Sequence, residues 1–559
     1  MAGLRTARAR VALAVAVLLP VGYLTLDAVD LVPGVLTSDW GREDSQAREV
    51  DAHAVDAVRD PLDAGTPSGT SAASPTAPAQ PSPKPTPGVG HEGLPASSTE
   101  APVPSAAGLA KVLNPLLADP SLGRSVGMEV RDGATGRVLF AASAGAPRTP
   151  ASATKVLTAV GMAFGDDLSQ RFETRAVAVD ADTVALVAGG DNLLSAGAGD
   201  PGAVVGQAGL GDLARATAQA LGTRSTPVRV VLDDSFGRGP ALAPGWERAD
   251  VALGLTGPVA MLGLATDRAV PYRPATSDPA LLATATFAQA LSAAGVTVQG
   301  RPTRLRTAAP AGAIELAAVH SAPVADVLAL ALDDSDNDLT ESVSRWACAR
   351  AGAPTTFAGC AGWITARMAD AGLAVAAVTL SDTGGLSGGT RVPASVVAAA
   401  VALGAAPDGP PTAVWPPAST ATGGSTASAT DAPAPGAEAG AEAGEQRAAE
   451  ASPPPPAGDG VDRGRAQLAQ VLAQLPVAGL TGTLADRFHA PPARAGVGVV
   501  RAKTGTLTGV GSLAGTVVDA QGRLLVFAVL ADRVPPGGTT AARLTLDRLA
   551  ATLAACGCR

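Results

Sequence analysis

Three short runs of this 559-residue chain carry residue types suited to acyl transfer. Ser152-Ala153-Thr154-Lys155 sets a hydroxyl and an amine three residues apart. Ser335-Asp336-Asn337 supplies a second hydroxyl and a carboxamide, and Lys503-Thr504-Gly505-Thr506 supplies a cation and two more hydroxyls. A serine hydroxyl is a poor nucleophile until an adjacent base takes its proton. On a helix, positions i and i+3 share one face, so Lys155 would lie within reach of Ser152. The amine must be neutral to act as a base, and burial together with the nearby cation of Lys503 would lower its pKa. Ser335 is the candidate relay of that proton to a leaving amine, and Asn337 the candidate holder of Lys155 and of a substrate amide. The segment Lys503, Thr504, Gly505 and Thr506 is the candidate substrate-binding strand, its cation and hydroxyls facing a carboxylate. Backbone N–H groups of Ser152 and Thr506 would form an oxyanion hole.

Composition sharpens these matches. The chain has four lysines, Lys84, Lys111, Lys155 and Lys503, and three asparagines, Asn114, Asn192 and Asn337. Nearly all other positive charge is Arg, which cannot lose its proton in a protein, whereas Lys can. Taken singly each motif has an ordinary reading: Ser152 and Ser335 as helix caps, Lys503 as a solvated strand residue. Taken together, in a chain so poor in Lys and Asn, they favour chemistry.

Rival chemistries lack their residues. His53 and His91 fall outside the folded part, and His320 and His489 are single residues near loop–helix boundaries. No H-x-x-x-H pattern occurs, so a zinc hydrolase is not indicated. Gly385-Leu386-Ser387-Gly388-Gly389 matches G-x-S-x-G, but no clear strand leads in and no helix follows, so it reads as a Gly-rich loop. No metal and no organic cofactor are expected. The net charge of −9 and the pI near 5.1 argue against nucleic acid as a partner.

The elements that must position the motifs are partly legible. Alternation over Val126–Ser143 predicts a β-hairpin, and Ala151–Gly165 a helix with Ser152 near its start. Val228–Phe236 reads as a strand. Helices are expected at Phe287–Gly295, Pro323–Leu332, Asp338–Arg350 and Thr540–Ala554, and three antiparallel strands over Val497–Arg533. Arg5, Arg8 and Arg10 precede an apolar run, Val11–Leu26, that reads as an export signal retained as an anchor if uncleaved. This expectation places the protein outside the cytoplasm, touching the membrane only through that segment. Residues 31–107 read as a Pro/Ser/Ala-rich tether and 404–460 as a low-complexity surface insertion. Four cysteines in an exported chain permit disulfides, with Cys348–Cys360 the first pairing to try and a four-thiolate zinc site the other reading.

The motif set S-x-x-K, S-D-N and K-T-G is that of penicillin-binding proteins and class A β-lactamases. From about Gly108 onward, apart from 404–460, the chain resembles the class C low-molecular-mass penicillin-binding proteins. These are the D-alanyl-D-alanine carboxypeptidase/endopeptidases, and the likeness is greatest to actinobacterial members. Stretches that carry it are AGGDNLLS (188–195), DDSFGRGPALAPGW (233–246), HSAPVADVL (320–328) leading into SDNDLTE (335–341), TGGLS (383–387) and LPVAGLTGTLADR (475–487). Ser152 and Ser335 stand 183 residues apart, a gap much longer than in β-lactamases, and the family resembled inserts extra domains there. The resemblance implies an α/β (α+β) fold: a transpeptidase/β-lactamase-like domain with an antiparallel sheet flanked by helices. That domain would be divided into 108–169, 311–403 and 461–559, with an inserted mixed α/β accessory region at 170–310. It further implies an acyl-enzyme on Ser152, peptidoglycan stem peptides as substrate and β-lactam antibiotics as inhibitors. The usual D-G-S-G-L-S reads Asp382-Thr383-Gly384-Gly385-Leu386-Ser387 here. Two other readings stay open: a non-catalytic penicillin-binding sensor or wall-peptide module, and a β-lactamase, for which no clear E-x-x-L-N motif is found.

Overall fold

The structure, a computed structural model, describes residues 97–223, 225–405 and 457–559. The expected leader, most of the tether and most of the 404–460 tract lie outside the described residues. Chain order gives α1 (Ala106–Leu117), β1 (Val126–Asp132), β2 (Val138–Ala142), β3 (Pro147–Arg148) and α2 (Thr154–Gly165). A second group follows: β4 (Arg171–Asp180), β5 (Thr183–Val187), α3 (Leu210–Leu221), β6 (Arg229–Asp233), α4 (Arg248–Ala252), α5 (Pro279–Ala293), β7 (Thr303–Arg304) and β8 (Ile314–Pro323). Then come α6 (Val324–Asp333), α7 (Asn337–Arg350), α8 (Phe357–Asp370), β9 (Val392–Pro393), α9 (Ala394–Ala405), α10 (Ala457–Leu472), β10 (Val500–Leu507), β11 (Val510–Val518), β12 (Leu524–Ala531) and α11 (Thr539–Ala554).

Two five-stranded sheets organise these elements. One is antiparallel throughout, in the order β10-β11-β12-β1-β2. Its centre shows why the run Leu524–Ala531 is apolar at every position. Successive side chains point to opposite faces, and both faces are covered. Leu525, Phe527 and Val529 pack with Leu546, Leu549 and Leu553 of α11 and Leu109 and Leu113 of α1. Val526, Ala528 and Leu530 pack with Val397, Ala400 and Val401 of α9 in a second core. That second core continues through α2, α6 and α7 into the other sheet, ordered β7-β6-β5-β4-β8, so the two halves share apolar packing. The second sheet is mixed: β4 pairs antiparallel with β5 and β8, while β5–β6 and β6–β7 run parallel.

The hairpin, the three C-terminal strands and the last helix stand where the sequence places them. The helix expected from Phe287 begins earlier, at Pro279. Asp278 caps it by accepting the Leu281 N–H at 3.1 Å, and Pro279 takes the first turn, where no N–H partner is needed. Among the described residues no helix is long and apolar enough to cross a membrane.

The cysteine expectation is corrected. The disulfide joins Cys556 and Cys558, whose Cα atoms lie 5.1 Å apart in the tail after α11. Cys348 and Cys360, the pairing to try first, are buried free thiols on α7 and α8 that lie side by side in hydrogen-bond contact without a disulfide between them. The four-thiolate zinc reading falls with it, because the tail thiols are consumed by each other.

Candidate active site

Ser152 lies in a single 3-10 turn, Ala151–Ala153, that feeds α2. The turn is held in an uncommon conformation. Ala151 has φ 48°, in the left-handed region that residues with a side chain seldom occupy. Thr154 Oγ1 donates back to the Ala151 carbonyl at 2.8 Å. The edge strand β10 runs beside this turn. Ser512 Oγ, from the neighbouring β11, donates to the Pro150 carbonyl at 2.6 Å and ties the sheet to it. A Cβ at Gly505 would come 2.6 Å from the Pro150 carbonyl oxygen and 3.0 Å from the Ser152 nitrogen, with Ser512 Oγ nearer still. Gly505 is therefore required for the close approach of the strand to the Ser152 turn. The outer edge of β10 is covered by residues 476–478 as far as Ala502, through Ala478 N–H to Val500 O and Ala502 N–H to Pro476 O. Beyond it, Lys503–Thr506 run past the Ser152 turn.

Lys155 is fully buried in α2, a helix whose residues Thr154–Ala163 are all buried. Its Nζ donates to three acceptors: Asn337 Oδ1 at 2.6 Å, the Gly384 carbonyl at 2.7 Å and Ser152 Oγ at 3.2 Å. The Asn337 amide is fixed in orientation because its Nδ2 donates to the Leu255 carbonyl at 2.8 Å, an atom that can only accept. Burial pushes the Lys155 ammonium down to about 8, against the opposing pull of Asp382, Asp336, Glu341 and Asp338. Lys503 is also fully buried, and burial followed by the charge of Lys155 holds it well below the usual lysine range, a repulsion that disfavours charging both amines at once.

Lys503 Nζ donates to the Thr504 carbonyl at 3.0 Å, and Thr504 Oγ1 to Thr483 Oγ1 at 3.0 Å. Asp333 sits close by. Burial and the neighbouring Asp334 raise its carboxyl to about 6, partly offset by Lys503 and Arg501. Thr506 is half-buried on the open part of the strand. Ser335 occupies the turn between α6 and α7 with φ 57°. It is half-buried, and its hydroxyl makes no hydrogen bond among the described residues. The structure thus joins Ser152, Lys155 and Asn337 by direct hydrogen bonds and brings Gly505 against the Ser152 turn. It does not bond Ser335 to them.

Several contributors carry no role in the sequence reading. Glu341, one helical turn after Asn337, accepts the N–H groups of Thr383 and Gly384 at 2.7 and 2.6 Å. Burial, then the nearby Asp382, raise its carboxyl to about 8. Asp382 accepts from Gly385 N and Ser387 N, both at 2.7 Å, and from Trp246 Nε1 at 3.0 Å. Asp336 takes two bonds from Arg268, at 3.1 and 2.6 Å, and Asp338 accepts the Gly257 N–H at 2.8 Å. The i, i+4 spacing of Asn337 and Glu341 is the one sequence signal that could have flagged Glu341. The partners at Trp246, Leu255, Gly257 and Arg268 lie 69 to 91 residues before Asn337 and have no such signal. The G-x-S-x-G match is a loop, as expected, but it belongs to the segment that gives Lys155 its Gly384 acceptor. Among the described residues no group of three or more His, Cys, Asp or Glu side chains converges as a metal ion would require.

Comparison with known proteins gives the family and the fold. The profile of the D-Ala-D-Ala carboxypeptidase 3 (S13) family matches residues 109–273, 265–409 and 464–553. A carboxypeptidase of Mycobacterium tuberculosis is 32% identical over 490 residues, covering 86% of this chain and 90% of that one. The carboxypeptidase DacB of Mycolicibacterium smegmatis is 32% identical over 483 residues, 85% of this chain and 90% of its own. Penicillin-binding protein 4 of Haemophilus influenzae shares the fold, with TM-score 0.55 at 17% identity, covering 79% of this chain and 97% of that one. The fold is therefore that of a penicillin-binding protein. The chain belongs to the S13 family and is a D-Ala-D-Ala carboxypeptidase. That family is one of cell-wall peptidases that typically act outside the cytoplasm.

Proposed function

We propose that the enzyme hydrolyses D-Ala-D-Ala ends and D,D-cross-links of peptidoglycan stem peptides through an acyl-enzyme on Ser152. The observation that carries this reading is the fully buried Lys155, 3.2 Å from Ser152 Oγ and brought to about 8 by its burial. Neutral Lys155 takes the hydroxyl proton as Oγ attacks the scissile carbonyl carbon. Backbone N–H groups of Ser152 and Thr506 receive the developing oxyanion. The attacked bond breaks, the leaving amine takes a proton relayed through Ser335, and water then hydrolyses the ester. Lys503, Thr504 and Thr506 hold the carboxylate next to the scissile amide. A terminal D-Ala and a cross-linked D-centre both offer such a carboxylate, so one pocket serves both reactions. β-Lactams present the same carboxylate beside a strained amide and acylate Ser152.

The test is to incubate the protein with a fluorescent penicillin and, separately, with a peptide ending in D-Ala-D-Ala. Stable labelling and D-Ala release, both lost in Ser152→Ala, are expected. Labelling without D-Ala release would make the protein a sensor, and fast penicillin turnover a β-lactamase. No labelling of folded protein would overturn the assignment of Ser152.

A further inference from the structure

We propose that Glu341 is a positioning residue that fixes the Gly384 carbonyl and, through it, aims the Lys155 lone pair at Ser152. The inference rests on the acyl-enzyme reading above and adds a residue to it. It starts from the hydrogen-bond valence of the amine. A neutral lysine amine has two N–H donors and one lone pair. Two of its three partners, Asn337 Oδ1 at 2.6 Å and the Gly384 carbonyl at 2.7 Å, can only accept. They therefore take the two N–H bonds, and the lone pair is left for the third partner, Ser152 Oγ at 3.2 Å. That hydroxyl can donate. The arrangement selects the one orientation in which the base can receive the serine proton.

The aim depends on both acceptors staying in place. Asn337 is anchored by α7 and by its bond to the Leu255 carbonyl. Gly384 lies in a loop and has no regular structure to hold it. Its backbone is gripped by Glu341, whose Oε1 accepts the N–H groups of Thr383 and of Gly384 itself, while Asp382 Oδ1 accepts the Gly385 N–H, the other half of the peptide that carries the Gly384 carbonyl, at 2.7 Å. Asn337 and Glu341 stand one turn apart on the same face of α7, so one rigid helix sets both acceptors of Lys155. Thr158, one turn after Lys155 on α2, donates to the Thr383 carbonyl at 2.7 Å and holds the same loop from the other side. A Cβ on Gly384 would come 3.3 Å from Glu341 Oε1 and 3.5 Å from Asn337 Oδ1, so the three groups are in mutual contact.

The test uses the full chain and the second-order rate of acylation by a fluorescent penicillin, with kcat and KM for D-Ala release. Glu341→Met keeps the volume but has no strong acceptor. It is expected to lower acylation and kcat by about 100-fold, the cost of a lost orientation in the reacting pair, with KM little changed. Glu341→Gln keeps an oxygen that can accept both N–H groups and is expected to recover activity to within about tenfold of wild type. The loss in Glu341→Met is expected at every pH, including above pH 9, where Lys155 is neutral in either protein. If Glu341→Gln is as slow as Glu341→Met, charge rather than hydrogen-bond geometry is at work and the proposal fails. It fails equally if the Met variant recovers at high pH, or acylates at the wild-type rate per folded molecule. Should Glu341→Met not fold, Thr158→Val loosens the same loop with an isosteric side chain. A fall in kcat without a shift of the pH profile supports the proposal, and an unchanged kcat overturns it. Unlabelled wild-type protein would instead defeat the Ser152 reading itself.

Discussion

At the scale of single residues, the site is built from groups whose ordinary properties have been moved by burial. Lys155 is the clearest case. Its ammonium is fully buried and falls to about 8 although four carboxyls pull the other way. Only the neutral form can act as a base, so its fraction falls tenfold per pH unit below that value. Acylation by penicillin is therefore expected to rise with pH through about 8 and then level off. Glu341 and Asp338 are raised by burial to the same region, so the limb belongs to the group of three. A pH–rate profile from 5.5 to 10 checks this, and a flat profile would remove Lys155 from the role of base. Gly505 makes a different demand, for space. A methyl there meets the Pro150 carbonyl, Ser512 Oγ and the Ser152 nitrogen. Gly505→Ala is expected to push β10 from the nucleophile turn and cut acylation at least tenfold while the far-ultraviolet circular dichroism is retained.

At the scale of elements, α7 is unusual in being both polar and buried. Asn337, Thr340, Glu341, Ser342, Ser344 and Arg345 are all below a tenth exposed. Buried polar groups persist only when bonded, and each finds a partner off or along the helix. At its start, Asp336 caps the helix through the Leu339 N–H and is itself held by Arg268. Removing one partner of a largely buried ion pair leaves the other charge uncompensated. Arg268→Ala is expected to cost about 3 kcal/mol of stability in denaturant titration, and to slow acylation because Asn337 is the next residue. Strand β12 shows the opposite economy, apolar on both faces. Phe527, fully buried between α1, α11 and β12's neighbours, is expected to cost about 4 kcal/mol on truncation to Ala.

At the scale of the whole molecule, the segment between the first two motifs reaches back into the active site. Trp246 supports Asp382, the Leu255 carbonyl orients Asn337, Gly257 holds Asp338 and Arg268 holds Asp336. These contacts come from 246–268, after the strands that form most of the second sheet. Trp246→Phe keeps an aromatic, though smaller, ring beside Phe357 and removes the donor to Asp382. A lost bond to a buried carboxylate is worth about 1.5–3 kcal/mol. The variant is expected to melt at lower temperature and to acylate several-fold more slowly, while a change in melting alone would limit Trp246 to stability.

The sequence by itself determined which residues to propose as the reacting groups. Ser152, Lys155, Asn337 and the Lys503–Thr506 strand are legible because their spacing is local: i to i+3 on a helix, consecutive positions on a strand. The hairpin at Val126–Ser143 and the strands after Val497 are legible for the same reason, since alternation is a property of neighbours. Tertiary structure decided the rest. The Gly384 carbonyl is a backbone atom in a loop 229 residues from Lys155, and no residue type announces it. Glu341 is an ordinary helical glutamate until the fold buries it against two loop N–H groups. Which cysteines pair, and that both lysines are fully buried, likewise depended on packing. Burial sets both protonation and hydrogen-bond partnership, and burial is fixed only when distant parts of the chain come together.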